Sequence, residues 1–273
     1  MKILIATDME GITGVTTWDQ VTPGHAEYAR FRKQMTEDVN AAIRGASDAG
    51  ADEVIVADGH WNGSNILIEE LDPRARLNTG SPSPFSMMQG IDESVDGVMF
   101  VGYHARNGSP NAILDHTWSS RTVANVWLND ILTGEYGLNA AVAGHFGVPV
   151  IMVSGDQTAC AQVTELLGDV ETAVVKLASS RFAAECLAPQ VTQEMIRLSA
   201  ERAVERLAQG DVPEPFVLDT PVTVTVEFFK SDMADRATRI PFTKREGTRV
   251  SLTMQEMTSA YNGFRAMVML ASE

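Results

Sequence analysis

Four short apolar runs, each broken off at once by a polar residue or a glycine, constrain this chain more than any other feature. They are Lys2 to Thr7, Val54 to Ala57, Gly97 to Gly102 and Val148 to Val153. Each is strand-length rather than helix-length, and between them the apolar positions switch to steps of three and four. Tyr28, Phe31, Met35, Val39, Ala42, Ile43 and Ala46 form one such helical face, which ends at Gly50. Strands alternating with helices predict an α/β fold built on an open, mostly parallel sheet with flanking helices. Further helices are expected near Asn65 to Leu71, Leu138 to Phe146 and Thr158 to Leu167, with a loop at Gly80-Ser81-Pro82-Ser83-Pro84.

The pattern changes near Ala188-Pro189. A long amphipathic helix (Val191, Met195, Leu198, Val204, Leu207) leads into a connector rich in proline (Pro213, Pro215, Pro221). Val222, Val224, Val226 and Phe228 then alternate with Thr223, Thr225 and Glu227, as in a half-buried strand. A closing helix carries Met254, Met257, Tyr261, Phe264 and Val268 and is expected to start at the capping box Thr253-Met254-Gln255-Glu256. The expected organisation is an α/β catalytic core over 1–188 and a smaller α+β subdomain over 189–273.

Charge and hydropathy exclude several classes of partner. Lys and Arg number 21 against 36 Asp and Glu, a formal charge of −15 that repels phosphate backbones and anionic lipid headgroups. Nucleic acid and membrane surfaces are therefore not expected partners. Apolar stretches such as Ile3 to Ala6 and Ala140 to Ala143 fall far below the roughly 18 residues of a membrane helix. The run after Lys2 meets Asp8 too soon for a signal peptide, so a cytoplasmic location is expected. Cys160 and Cys186 lack CxxC spacing and read as reduced, packed thiols.

Open α/β sheets bind ligands outside the carboxyl ends of their strands, and the residues there are Asp8, Glu10, Asp58, His60 and His104. Asp8 and Glu10 are two apart, so a chain that stayed extended past Thr7 would project both carboxylates from one side. Alone, an Asp-x-Glu reads as a solvated loop and a histidine as a hydrogen-bonded structural residue. Three strand ends carrying carboxylates and imidazoles together point instead to a metal site. Such ligands suit zinc, or manganese or iron where oxygen dominates. Glu135 reads by itself as an acid in the first turn of a helix, His145 as a core histidine and His25 as a surface or capping residue. Asp156 reads equally as a group near substrate or as a plain N-cap.

Asp8-Met9-Glu10-Gly11, Asp58-Gly59-His60, Gly102-Tyr103-His104-Ala105, His116 and Gly134-Glu135-Tyr136-Gly137-Leu138-Asn139-Ala140 together resemble the M55 peptidases, the D-aminopeptidase family. The resemblance extends over nearly the whole chain, including Pro84-Phe85-Ser86-Met87 and the closing helix. It implies that Asp8, Glu10, His60, His104 and Glu135 hold two zinc ions, that His116 is catalytic, and that the protein forms a ring-like, self-compartmentalising homo-oligomer. Ala6 departs from the pattern, which usually has serine there, and the change would remove a hydroxyl near the metals. If Asp8 bridges, Glu10 and His104 fall to one ion and His60 and Glu135 to the other.

The activity so implied is removal of the N-terminal residue from short peptides or aminoacyl amides, with D-residues favoured. His116 would stabilise the oxyanion or carry a proton, and Asp58 or Asp156 would hold the substrate amino group. A haloacid-dehalogenase-like phosphatase is the rival enzyme, since it too places paired acids after the first strand and a motif resembling Gly155-Asp156. Against it, the second acid is Glu10, no lysine precedes Gly155 convincingly, and His60 and His104 have no task. A metal-free peptide-binding scaffold is a third reading, opposed by intact residues at every matched position.

Overall fold

A computed structural model describes residues 1–273. Strands β1 (Lys2–Thr7), β2 (Glu53–Asp58), β3 (Ala75–Asn78), β4 (Gly97–Tyr103), β7 (Val150–Asp156), β8 (Glu171–Ser180) and β9 (Ala183–Cys186) form a seven-stranded sheet. Its order is β3-β2-β1-β4-β7-β8-β9, parallel except for the antiparallel edge strand β9. The four expected strands occupy its centre. Their uninterrupted apolar character follows from burial on both faces. Ile3 and Ile5 of β1 join the apolar layer under α1 (Tyr28–Asp48) and α4 (Pro189–Gln209), while Leu4 and Ala6 enter the opposite layer with Met87, Met88 and Phe100. Ala6 is thus surrounded by apolar core, not by the polar strand ends where its missing hydroxyl was expected to matter.

A second, antiparallel sheet has the order β11-β12-β10-β5-β6, from β5 (Val123–Leu128), β6 (Ile131–Thr133), β10 (Val222–Phe228), β11 (Lys244–Glu246) and β12 (Arg249–Met254). The alternation expected in β10 is present, with Val222, Val224, Val226 and Phe228 buried. Helix α6 (Met257–Ala271) packs on β10 and β12, on the short α5 (Ser231–Ala237) and on α2 (Glu135–His145), which couples the small sheet to the large one. Helix α3 (Gln157–Leu167) follows β7 directly.

Several local expectations change. The small sheet draws β5 and β6 from residues 123–133, inside the expected 1–188 core, and α4, expected to open the C-terminal subdomain, packs on α1. Asn65 to Leu71 forms only a 3-10 turn at Ile68–Glu70, and the Asp58 carboxylate accepts the Asn65 and Ile66 N–H groups ahead of it. Thr253 caps no helix. It lies in β12 opposite Thr223, with the two hydroxyls 2.8 Å apart, and α6 starts only at Met257. His145 is exposed at the end of α2, and Cys186 is exposed in β9.

Candidate metal centre

The sheet order turns about β1: β2 and β3 lie on one side of it, β4 and β7 on the other. The strands at that switch point end at Thr7, Asp58 and Tyr103, so Asp8 and His104 are the first residues past β1 and β4. Beyond Thr7 the chain leaves the extended conformation and turns at Glu10 and Gly11. Alternation therefore does not place Asp8 and Glu10. The turn does, by returning Glu10 to the same imidazole that Asp8 meets. Asp8 N–H donates to Val101 O and Gly11 N–H to Gly102 O, stitching the turn to β4. The approach is close enough to require glycine on both sides. A Cβ on Gly11 would lie 2.0 Å from Tyr103 O, and one on Gly102, at φ +77°, would lie 2.2 Å from Asp8 O.

Six expected side chains converge there, all buried: Asp8, Glu10, His60, His104, His116 and Glu135. His60 Nδ1 lies 3.1 Å from both Asp8 Oδ1 and Glu10 Oε2. His104 Nε2 lies 3.2 Å from Asp8 Oδ2 and 3.1 Å from Glu135 Oε1. The contacts therefore set Glu10 beside His60 and Glu135 beside His104, the reverse of the sequence-based division, although Asp8, Glu10 and His104 also bring donor atoms within 4.8 Å of one another. Glu135 is the first residue of α2, as expected, and its Oε1 also accepts the Trp118 N–H at 2.7 Å.

His116 lies in a loop and stacks on His104, with ring centroids 4.0 Å apart and planes 10° from parallel; Trp18 meets it edge-on at 5.4 Å. Its Nε2 stands 3.9 Å from Glu10 and 3.8 Å from Glu135, too far for a direct hydrogen bond.

Each imidazole uses one nitrogen to donate to a main-chain carbonyl: His60 Nε2 to Val21, His104 Nδ1 to Ala105 and His116 Nδ1 to Leu114. That fixes the other nitrogen toward the carboxylates, the arrangement that orients metal-ligating histidines. Glu10 Oε2, fully buried, accepts no hydrogen bond despite its 3.1 Å approach to His60. Three buried carboxylates, three oriented imidazoles and an unsatisfied carboxylate oxygen fit a bound cation of the zinc class.

The electrostatics of the metal-free protein are consistent with that fit. Burial opposes charge on His60 and His104, but Glu10 and Asp8 around the first and Glu135 and Asp8 around the second outweigh it, raising both well above the usual imidazole range. Burial likewise opposes ionisation of Asp8, yet hydrogen bonds from His104 and His60 hold it well below the usual carboxylate range. Burial, then the charge of Asp8, pushes Glu10 up. His116 goes the other way, lowered by burial and then by the charge of the stacked His104.

Asp58 and Asp156, the two candidates for holding a substrate amino group, are committed elsewhere. Asp58 accepts from Asn65 N, Asn65 Nδ2 and Ile66 N. Asp156 is the N-cap of α3, accepting from Thr158 N and Ala159 N, and also takes the Ile113 N–H. The Gly155-Asp156 pair therefore does structural work, and with both histidines engaged by the acidic cluster the phosphatase reading has no support.

Sequence reasoning missed Lys176, which is fully buried in β8 and donates to three main-chain carbonyls of the turn after β1. Its signal was a single cation inside the run Ala173-Val174-Val175-Lys176-Leu177-Ala178, where an unpaired lysine is rare. Burial lowers its pKa to about 8, against the attraction of Asp156, Cys186, Asp38 and Glu10, so it stays an ammonium at neutral pH.

A mixed carboxylate and imidazole centre at the switch point of a parallel sheet defines a metallohydrolase type of site. Residues 1–266 match the model of the peptidase M55 family, the D-aminopeptidases. The chain is 37% identical over 273 residues to a D-aminopeptidase of Bacillus subtilis (strain 168), covering 99% of this chain and 98% of the relative. Its fold matches, with TM-score 0.96 and 36% identity, a solved structure described as the Zn-dependent D-aminopeptidase DppA from Bacillus subtilis, a self-compartmentalizing protease; the match covers 100% of this chain and 98% of the other. The chain belongs to the M55 family of metallo-aminopeptidases.

Proposed function

We propose that this protein is a dinuclear zinc aminopeptidase that releases the N-terminal residue, preferentially a D-residue, from short peptides and amino-acid amides. The observation that carries the reading is the buried cluster in which Asp8 turns one carboxylate oxygen to His60 and the other to His104. Asp8, Glu10 and His60 would hold one ion and Asp8, His104 and Glu135 the other, following the contacts these side chains make. Zinc bound there supplies Lewis acidity and brings the pKa of water toward neutrality.

The protein's own contribution to the chemistry centres on His116. Its Nδ1–H is spent on Leu114 O and its ring is held neutral, so Nε2 offers a lone pair. That state suits a group that takes a proton from the attacking water and returns it to the leaving amine. It suits an oxyanion donor less well, since a donor needs the proton already in place. A second reading has one specific observation behind it: His104, His116 and Glu135 bring ligand atoms within 4.8 Å of one another, which would make His116 a sixth ligand.

Elemental analysis together with a panel of D- and L-aminoacyl amides tests the proposal. About two zinc ions per chain and faster turnover of D-substrates are expected. One ion per chain, or turnover of L-substrates alone, would refute it. A homo-oligomer enclosing the sites belongs to the same proposal, in line with the self-compartmentalizing relative. A clean monomer at micromolar concentration in sedimentation would overturn that part. No helix is long and apolar enough to cross a membrane.

A further inference from the structure

The turn bearing Glu10 is held from behind by a residue 166 positions away. Lys176 Nζ donates to the carbonyls of Glu10 at 2.7 Å, Ile12 at 2.9 Å and Val15 at 2.8 Å. An ammonium has three protons, and all three go to main-chain oxygens of this one turn. No carboxylate lies in ion-pair contact with it, so the molecule keeps a cation buried without the partner that usually offsets the desolvation cost. Mere anchoring needs no charge, because neutral donors and apolar packing hold turns at lower cost.

The same turn has other anchors already, one of them neutral. Thr13 N–H donates to Asp38 Oδ2 at 2.9 Å, and the Thr13 hydroxyl bonds Thr192 at 2.8 Å. These grip the middle of the turn from α1 and α4. At the end that carries Glu10, the Asp8 to Val101 and Gly11 to Gly102 bonds tie the flanking residues to β4, and Lys176 is the side chain that grips the Glu10 carbonyl itself. A positive charge one peptide group behind Glu10 also offsets the mutual repulsion of three carboxylates gathered in a buried space.

From this geometry we infer that Lys176 is a positioning residue of the metal centre: its ammonium gathers the Glu10, Ile12 and Val15 carbonyls and thereby sets the Glu10 carboxylate against His60. The inference rests on the dinuclear zinc reading above.

Zinc affinity, measured by competition with a chromophoric chelator, separates it from a purely structural role. Lys176→Met keeps most of the length and the unbranched shape and removes the charge and its three N–H donors. It is expected to keep the circular dichroism of the parent, to bind at least one zinc tenfold to a hundredfold more weakly, and to regain most of its kcat in excess zinc. Lys176→Arg, which keeps the charge but offers a planar fork instead of a point donor, should fall between. Thr192→Val, which removes a neutral anchor of the same turn, should lower the melting temperature and leave zinc affinity alone. Parent-like zinc affinity in Lys176→Met would overturn the inference, as would parallel loss of zinc and stability in Lys176→Met and Thr192→Val. Failure of both Lys176 variants to fold in the presence of zinc would assign the residue to the fold and refute the inference equally. A parent protein that takes up no zinc would instead sink the dinuclear reading, and this inference with it.

Discussion

Loading zinc into the metal-free protein should release two protons per chain. His60 and His104 each hold a proton between one ring nitrogen and the carboxylates around it, at a pKa well above the usual imidazole value. A metal takes the lone pair that this proton occupies, so each ligation expels one proton. Two released protons make the overall zinc affinity rise about a hundredfold per pH unit, tenfold for each histidine, until pH passes the raised values and the slope flattens. The sign for the metal-free fold is opposite. A raised imidazole pKa contributes stability that is complete below about 6.5 and is lost as pH climbs through the folded-state value. The gain in melting temperature on adding zinc should therefore grow between pH 6 and 8. Isothermal titration calorimetry in buffers of different ionisation enthalpy reads the proton count directly. Heats independent of buffer, or a zinc effect that shrinks as pH rises, would refute the assignment of His60 and His104 as protonated ligands-in-waiting.

Three further outcomes follow from the same geometry. His116→Ala should retain its zinc while kcat falls by roughly two to four orders of magnitude, the usual loss for a positioned proton-transfer group; loss of a zinc ion in elemental analysis would make His116 a ligand instead. Gly102→Ala forces a Cβ into Asp8 O at a left-handed φ. Backbone strain alone costs about 1–2 kcal/mol, so denaturant melts should show at least that loss together with reduced zinc content. Asp58→Ala frees the Asn65 and Ile66 N–H groups and loosens the loop that carries His60. It should cost about 1–3 kcal/mol and weaken zinc binding, yet leave KM near the parent value at saturating zinc; a selective rise in KM would return Asp58 to the role of amino-group receptor.

How much of this was legible in the sequence depended on whether a residue's fate was decided locally. β1, β2, β4 and β7 are buried on both faces, and continuous apolar runs declared them. Helix α1 declared itself by its periodic face. Of the strands that went unread, β5 and β6 owe their places to a distant pairing. β5 and β6 are a hairpin with Asn129-Asp130 at its tip, and they join β10 some hundred residues later, with Asn129 exchanging bonds with Thr223. β8 was hidden because Lys176 interrupts its apolar pattern. Thr253 has the spacing of a helix cap, and only the strand pairing with Thr223 decides against it. At the candidate metal centre Asp8, Glu10, His60 and His104 were readable because strand ends in a parallel sheet meet at one edge, whereas His116, in a loop, and Glu135, at the start of α2, were singled out only by the family resemblance. How these side chains pair was not readable, since it depends on the turn at Glu10 and Gly11, where alternation no longer applies.

The three imidazoles of the centre illustrate why residue type underdetermines role. All three are buried and all donate one N–H to a carbonyl. They differ in what meets the second nitrogen. For His60 and His104 two carboxylate oxygens lie at 3.1 to 3.2 Å, close enough to share a proton, and charge is favoured despite burial. For His116 the carboxylates stand back at 3.8 and 3.9 Å, so burial prevails. The stacked ring of His104 then adds a like charge at 4.0 Å, which penalises a proton on His116 further. A separation of well under an ångström thus divides two sites that hold a cation from one that keeps a free lone pair. Pairs of titratable groups pushed apart by their surroundings identify acid and base roles. On that logic the position of Glu135 is the controlling variable, because its Oε1 touches His104 and stops short of His116. Trp118 N–H fixes that oxygen at 2.7 Å, which makes the main chain two residues past His116 the element that keeps the two roles apart.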